Sequence, residues 1–257
     1  MWYQIISYIK FLFTSTNQHG VHSPFVYDLV TKCFYDTSDY SDYLRIKTYR
    51  ESLLGNSEVI EITDFGSGSK VFNSNKRAIK HIAKTSGTTL KRAKLLYRLI
   101  RYFQPKNTLE LGTSLGIGTF SMALANSKAP LTSIEGCPQM SKFTHEQLKI
   151  FKIEHVDLIT GAFSEIIPTL VSTHWDLVFF DGHHDKEATL TYFEQLLPSA
   201  HNDSVFIFDD IHWSKDMSEA WNIIKKHPKV TVTIDTFFWG FVFFRKEQVQ
   251  ENFTIRL

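Results

Sequence analysis

Three stretches of this sequence carry side chains whose types and spacing could do chemistry. The first is Leu109-Glu110-Leu111-Gly112-Thr113-Ser114-Leu115-Gly116-Ile117-Gly118, an acid followed by a turn with G-x-x-x-G-x-G spacing. Glycine has no Cβ, so such a backbone can take left-handed angles and approach a ligand closely. The second and third are Asp181-Gly182-His183-His184 and Asp209-Asp210-Ile211-His212-Trp213, each directly after a short apolar run. Imidazole accepts and returns protons near neutral pH, so a histidine beside an acid is a candidate general base. A single histidine is more often a surface or core residue. His183, His184 and His212 beside Asp181, Asp209 and Asp210 are a less casual grouping.

These residues need elements to hold them. Short apolar runs at 108–111, 131–134, 156–160, 177–180 and 205–208 alternate with amphipathic stretches such as 138–151 and 186–197. That alternation predicts βαβ units and a parallel sheet. The tail differs: 230–236 and 241–245, joined at Trp239-Gly240, read as an antiparallel hairpin. A helix over 90–103 opens this domain, which is expected to span 85–257, with 1–84 as a helical extension or lid. Residues 2–13 place Trp2, Ile5, Ile6, Ile9 and Phe13 at helical spacing. That helix is expected to pack on the body of the protein, since Lys10 is its only base and membrane-surface helices usually carry several.

Composition narrows the choices. The chain has 257 residues, 43% hydrophobic and 21% charged, which excludes a disordered, collagen-like or coiled-coil protein. No run approaches the roughly 18 apolar residues of a membrane span. A formal charge of +1 gives no overall attraction for polyanions. Locally, however, 65–109 holds no acid and eleven bases, either a solvated helical face or a patch for an anionic acceptor. Cys33 and Cys137 cannot build a disulfide framework and fit a reducing, cytoplasmic compartment. The 22 phenylalanines suffice for a large core and for an aromatic-lined pocket.

The glycine spacing is not the G-x-G-x-x-G of a dinucleotide site, where the pyrophosphate rests on the helix N-terminus. The next strand ends 17 residues past Gly118 at Glu135, where an acid can accept hydrogen bonds from ribose hydroxyls. Glycines that merely allow tight helix–strand packing are the bland alternative. A second acid-glycine loop, Asp64-Phe65-Gly66-Ser67-Gly68-Ser69, is followed by a polar stretch and reads as part of a lid.

On these residues the chain resembles the class I S-adenosylmethionine-dependent methyltransferases over about 85–246. Glu110 to Gly118 is similar to their first motif, and Glu135 to their ribose-binding acid. The resemblance implies a Rossmann-like α/β fold: a seven-stranded, mostly parallel sheet with a C-terminal antiparallel hairpin. It implies S-adenosyl-L-methionine as cofactor, held by Glu110, Gly112, Thr113, Ser114, Gly116, Gly118, Glu135, Gly136, Ala162, Phe163 and Asp181. Many relatives present an acid to adenine after the third strand, whereas this chain has Gly161-Ala162-Phe163-Ser164, leaving backbone groups, Ser164 and the Phe163 ring.

Asp181 and Asp209-Asp210 look like the strand ends that carry a divalent metal in the small-molecule O-methyltransferases. Neighbouring parallel strands would crowd these three carboxylates, which repel unless a cation or protons neutralise them. A hard ion such as Mg2+ or Mn2+ is the expected answer, with Asp181, Asp209 and Asp210 as ligands. Helix capping by Asp210 is the competing account. His184 falls where metal-dependent relatives place their catalytic lysine, so His184 and Asp181 are the catalytic candidates. The expected function is O-methylation of a small-molecule hydroxyl. A nucleic-acid methyltransferase lacks its base-recognition motif here, and a non-catalytic cofactor-binding protein on the same fold is the other alternative. A homodimer is compatible with the sequence.

Overall fold

The computed structural model describes residues 2–63 and 75–257, so the Asp64–Ser69 loop lies outside the described residues. The chain divides into two compact units, Asp36–Ile166 and Met1–Tyr35 with Ile167–Leu257.

The N-terminal segment of the second of these forms α1 (Trp2–Thr14) and α2 (Pro24–Leu29). Ser23 caps α2, its Oγ accepting from the Val26 amide, and Pro24 takes the first turn, where its missing N–H costs nothing.

The unit Asp36–Ile166 runs α3 (Asp42–Gly55), β1 (Val59–Glu61), β2 (Lys76–Ala78), α4 (Ile79–Thr85), α5 (Leu90–Phe103), β3 (Thr108–Leu111), α6 (Ile117–Ala125), β4 (Leu131–Glu135), α7 (Pro138–Ile150) and β5 (Val156–Thr160). Strands β1 and β2 form a small antiparallel hairpin. Strand β4 lies between β3 and β5, parallel to both, with Glu110 opposite Ser133 and Glu135 opposite Thr160. Thr89 caps α5, and Gln104 ends it in the left-handed conformation at φ 48°. The bases of α5 are partly engaged with tyrosines. Lys94 Nζ lies 4.4 Å from the Tyr43 ring centre, the Arg101 guanidinium 5.0 Å from that of Tyr40, and Arg98 Nη1 donates to Tyr43 Oη at 3.2 Å.

The remainder comprises α8 (Phe163–Leu170), β6 (Leu177–Phe180), α9 (Lys186–Leu196), β7 (Val205–Phe208), α10 (Lys215–Ile224), β8 (Val232–Asp235), β9 (Gly240–Phe243) and β10 (Glu251–Thr254). β6 and β7 are parallel neighbours, with Phe180 opposite Phe208. Every residue of both is buried, so they read as unbroken apolar runs, as strands covered on two faces must. β9 runs antiparallel between β7 and β8. The phenylalanines fill the core here: the Phe180 and Phe208 rings stack at 4.2 Å, and Phe193 packs edge-on against Phe206 and Phe208.

Two details differ from expectation. The hairpin turns over 236–239, where Thr236 N and Oγ1 both donate to the Trp239 carbonyl and Phe237 is left-handed at φ 73°. Gly240 belongs to the strand, where a Cβ would meet the Trp221 ring at 2.7 Å. Glu251–Thr254 adds an eighth strand, parallel to β8, to the expected seven. Its sequence gives no strand signal because only Phe253 is buried there. The architecture is the mixed, mostly parallel α/β fold the pattern predicts.

Candidate functional site

The carboxyl ends of β3, β4 and β5 gather the first group of candidate residues. Gly112 and Gly116 are left-handed at φ 105° and 72°, and Ser114 between them sits at φ 49°. A non-glycine residue in that region costs free energy that the surrounding contacts must offset. Here the contacts are specific. Tyr49 Oη donates to the Leu115 carbonyl at 2.8 Å, and Thr144 Oγ1 to the Ser114 carbonyl at 2.7 Å. The Ser114 amide donates to Glu135 Oε2 at 2.8 Å, and the Cys137 amide to Glu135 Oε1 at 2.9 Å. Glu135 thereby ties the glycine turn to the tip of β4. Burial pushes its carboxyl up, against the pull of the Cys137, Ser114 and Gly136 amides.

Glu110 lies beneath the turn, wholly buried. Its Oε2 accepts from Thr119 Oγ1 at 2.5 Å and Ser133 Oγ at 2.6 Å. Because the Ser133 proton is committed to Glu110, the Thr113 hydroxyl, 2.6 Å from Ser133, donates to it. Burial pushes Glu110 up to about 7; the two hydroxyl donors oppose the shift and the nearby Glu135 charge adds to it. Both readings of the glycines meet here. Gly118 makes room for Glu110, whose Oε1 would lie 2.9 Å from a Cβ, and at Gly116 a Cβ would meet Thr144 Cγ2 at 2.6 Å. Gly161 is held by its amide donating to the Glu135 carbonyl, bringing Gly136, Ala162 and Phe163 to the same edge. Phe163 is buried and Ser164 exposed.

Thr119, Ser133, Thr144 and Tyr49 went unnoticed in the sequence. They lie 9 to 66 residues from the groups they hold, with no spacing that marks them.

The second group stands at the ends of β6 and β7. The Asp209 amide donates to the Phe180 carbonyl at 2.9 Å, so Asp181 and Asp209 follow paired strand ends. His183, His184 and Asp210 are all left-handed, at φ 64°, 33° and 54°. Such strain in three non-glycine residues on two adjacent loops is the kind that clusters at functional sites. Asp181 Oδ1 lies 3.7 Å from His184 Nε2, and both side chains are part exposed. His183 Nδ1 lies 3.0 Å from Tyr192 Oη. Asp209 is buried and accepts the Asp210 amide at 2.8 Å.

Helix capping does not explain Asp210. Ser214 caps α10, and Asp185 caps α9. Among the described residues no three His, Cys, Asp or Glu side chains are grouped to hold a metal ion. His212 turns to Asp235 Oδ2 at 2.8 Å and Ser218 Oγ at 3.1 Å and stacks on Phe237. Asp235 also accepts from Trp221 Nε1 and the Phe237 amide, so His212 belongs to a closed network.

Residues 109–211 match a family of proteins described as a methyltransferase domain. A catechol O-methyltransferase of Mycobacterium tuberculosis (strain ATCC 25618 / H37Rv) is 27% identical over 120 residues, 46% of this chain and 54% of that protein. The chain thus spans about half the length of that curated relative. An O-methyltransferase from Bacillus cereus, solved in complex with SAH, superposes with TM-score 0.55 at 15% identity, covering 83% of this chain and 95% of that one. An O-methyltransferase of tomaymycin synthesis from Streptomyces achromogenes, solved with SAM, gives TM-score 0.54 at 19% identity over 62% and 81%. These solved structures share the fold.

Proposed function

We propose that this chain, which matches a methyltransferase-domain family over 109–211, is an S-adenosylmethionine-dependent enzyme that methylates a hydroxyl of a small molecule. The observation that carries this reading is the left-handed glycine turn tied through the Ser114 amide to Glu135 at the tip of the neighbouring strand. Such a turn brings backbone close to a ligand, and an acid there can accept from ribose hydroxyls. Thr113, Gly112, Ser114, Gly116 and Gly136 would line the cofactor. Glu110 and Gly118 would act from beneath by fixing the turn, and Ala162 and Phe163 would border adenine.

The reaction is an in-line displacement. The acceptor oxygen forms a bond to the methyl carbon as the carbon–sulfur bond breaks, leaving S-adenosylhomocysteine. The sulfonium is already activated, so the protein has mainly to align the two reactants and receive the hydroxyl proton. His184 would take that proton, and Asp181, 3.7 Å away, would balance the charge the imidazole acquires. A divalent ion on Asp181, Asp209 and Asp210 would act as a Lewis acid, although among the described residues no three such side chains are grouped to hold one. A nucleic-acid acceptor finds no support in α5, whose bases are partly committed to Tyr40 and Tyr43.

Calorimetric titration of the full chain with S-adenosylmethionine and S-adenosylhomocysteine tests the reading. Binding between about 1 µM and 1 mM, the common range for enzyme ligands, is expected. Neither heat nor thermal stabilisation with either compound would overturn it.

A further inference from the structure

Helix α1 is amphipathic the wrong way round. At about 100° per residue, Tyr8, Leu12, Ile5, Ile9, Trp2, Phe13 and Ile6 cover an arc of roughly 160°. That apolar arc faces outward: every one of its residues is exposed, Trp2 at 80% and Phe13 at 86%. The side turned to the protein is instead the narrow stripe of Gln4, Ser7 and Phe11, of which only Phe11 is buried. Phe11 and Tyr8 pack on Phe237 at 5.5 and 4.8 Å, and the exposed Phe238 extends the same aromatic surface. Helix α1 thus packs on the body as expected, but through Phe11 and Tyr8 and not through Trp2, Ile5, Ile6, Ile9 and Phe13.

Two observations say what covers this face. A helix that pairs with another helix uses a narrow seam, whereas a broad apolar arc suits a flat, fluid surface. Charge points the same way: from residue 2 to residue 27 there is no Asp or Glu, while Lys10 is basic and exposed. The scarcity of lysines, which counted against membrane docking in the sequence, has a structural reason. In a free interfacial helix the polar face must be solvated, but here that side is turned to the protein.

We propose that α1 lies in the interface of an anionic lipid bilayer, with Trp2, Ile5, Ile6, Ile9 and Phe13 immersed and the protein held on one leaflet. No helix among the described residues is long and apolar enough to cross a membrane, so this is surface docking.

The test is flotation of the full chain with vesicles of phosphatidylcholine containing phosphatidylglycerol, and with phosphatidylcholine alone. The protein is expected to float with the first, more weakly with the second, and Ile9→Glu is expected to reduce partitioning by about tenfold or more. Trp2→Ala, at a side chain too exposed to affect folding, should reduce it by a smaller factor. S-adenosylmethionine binding by both variants should match the unaltered chain, which separates this proposal from the cofactor reading. Absence of flotation overturns it, as does a dimer by light scattering that Ile9→Glu dissociates while vesicle binding is nil. The latter would make a second copy the occupant.

Discussion

The strand ends of the two units are built differently. Beyond β3 and β4 the backbone is strained and heavily buttressed: Tyr49 and Thr144 hold two turn carbonyls, Glu135 holds one turn amide, and Glu110 anchors the layer beneath. Beyond β6 and β7 the backbone is equally strained, at His183, His184 and Asp210, yet the side chains are part exposed and His184 meets Asp181 only at 3.7 Å. The first arrangement suits a fixed ligand whose shape does not change. The second leaves a base and an acid able to meet a reactant, since apo contacts of catalytic groups are often long. Preorganisation is thus concentrated where a common cofactor would bind, and freedom where the acceptor would differ.

Breaking the second region should show most in turnover. His184→Ala is expected to lower kcat by about 10²–10⁴-fold, the usual contribution of a general base, with cofactor affinity unchanged by calorimetry. An unaltered kcat would remove His184 from the mechanism. Breaking the first region should show in stability. In Gly116→Ala a Cβ meets Thr144 at 2.6 Å on a backbone at φ 72°. Overpacking and left-handed strain together predict a loss of roughly 2–4 kcal/mol in denaturant unfolding, with cofactor binding weakened in step.

Glu110 sharpens the comparison further, because its burial opposes folding at neutral pH. Its carboxyl is raised from 4.5 to about 7 in the folded chain. Between those values the folded state keeps a proton that the unfolded chain releases, so this contribution is fully present below 4.5 and is lost as pH rises through 7. Glu110→Gln, which still accepts from Thr119 and Ser133, should flatten that slope. Near pH 8 it is expected to exceed the unaltered chain by about 2–3 kcal/mol, at 1.36 kcal/mol per pH unit, and to converge with it in acid. Equal slopes in the two proteins would mean Glu110 is ionised throughout.

Much of the fold was legible because strands are short runs rich in apolar residues, unbroken where both faces are covered, as in β6 and β7. The runs at 108–111, 156–160, 177–180 and 205–208 coincide with β3, β5, β6 and β7, and the helix at 90–103 with α5. Strand β10 was not legible, since pairing at an edge demands little of its side chains. In the site, the glycine turn and the acids at strand ends stood out because short local stretches dictate them. Tyr49, Thr144, Ser133 and Tyr192 did not, because a hydrogen bond to a distant loop requires no neighbouring sequence signal. Helix α1 shows the sharpest limit. Periodicity reported a helix correctly but did not reveal which of its sides meets the protein.

The sequence by itself determined the order of strands β3 to β9, the glycine turn and the acids and histidines that end β6 and β7. These follow from local rules: apolar period, the missing Cβ of glycine, and the short reach of a strand's end. Tertiary structure alone decided that Glu110 is a buried support, that His212 is occupied by Asp235, and that α1 turns its apolar side away from the protein. Each of these depends on which surfaces meet, a property of packing between segments far apart in the chain.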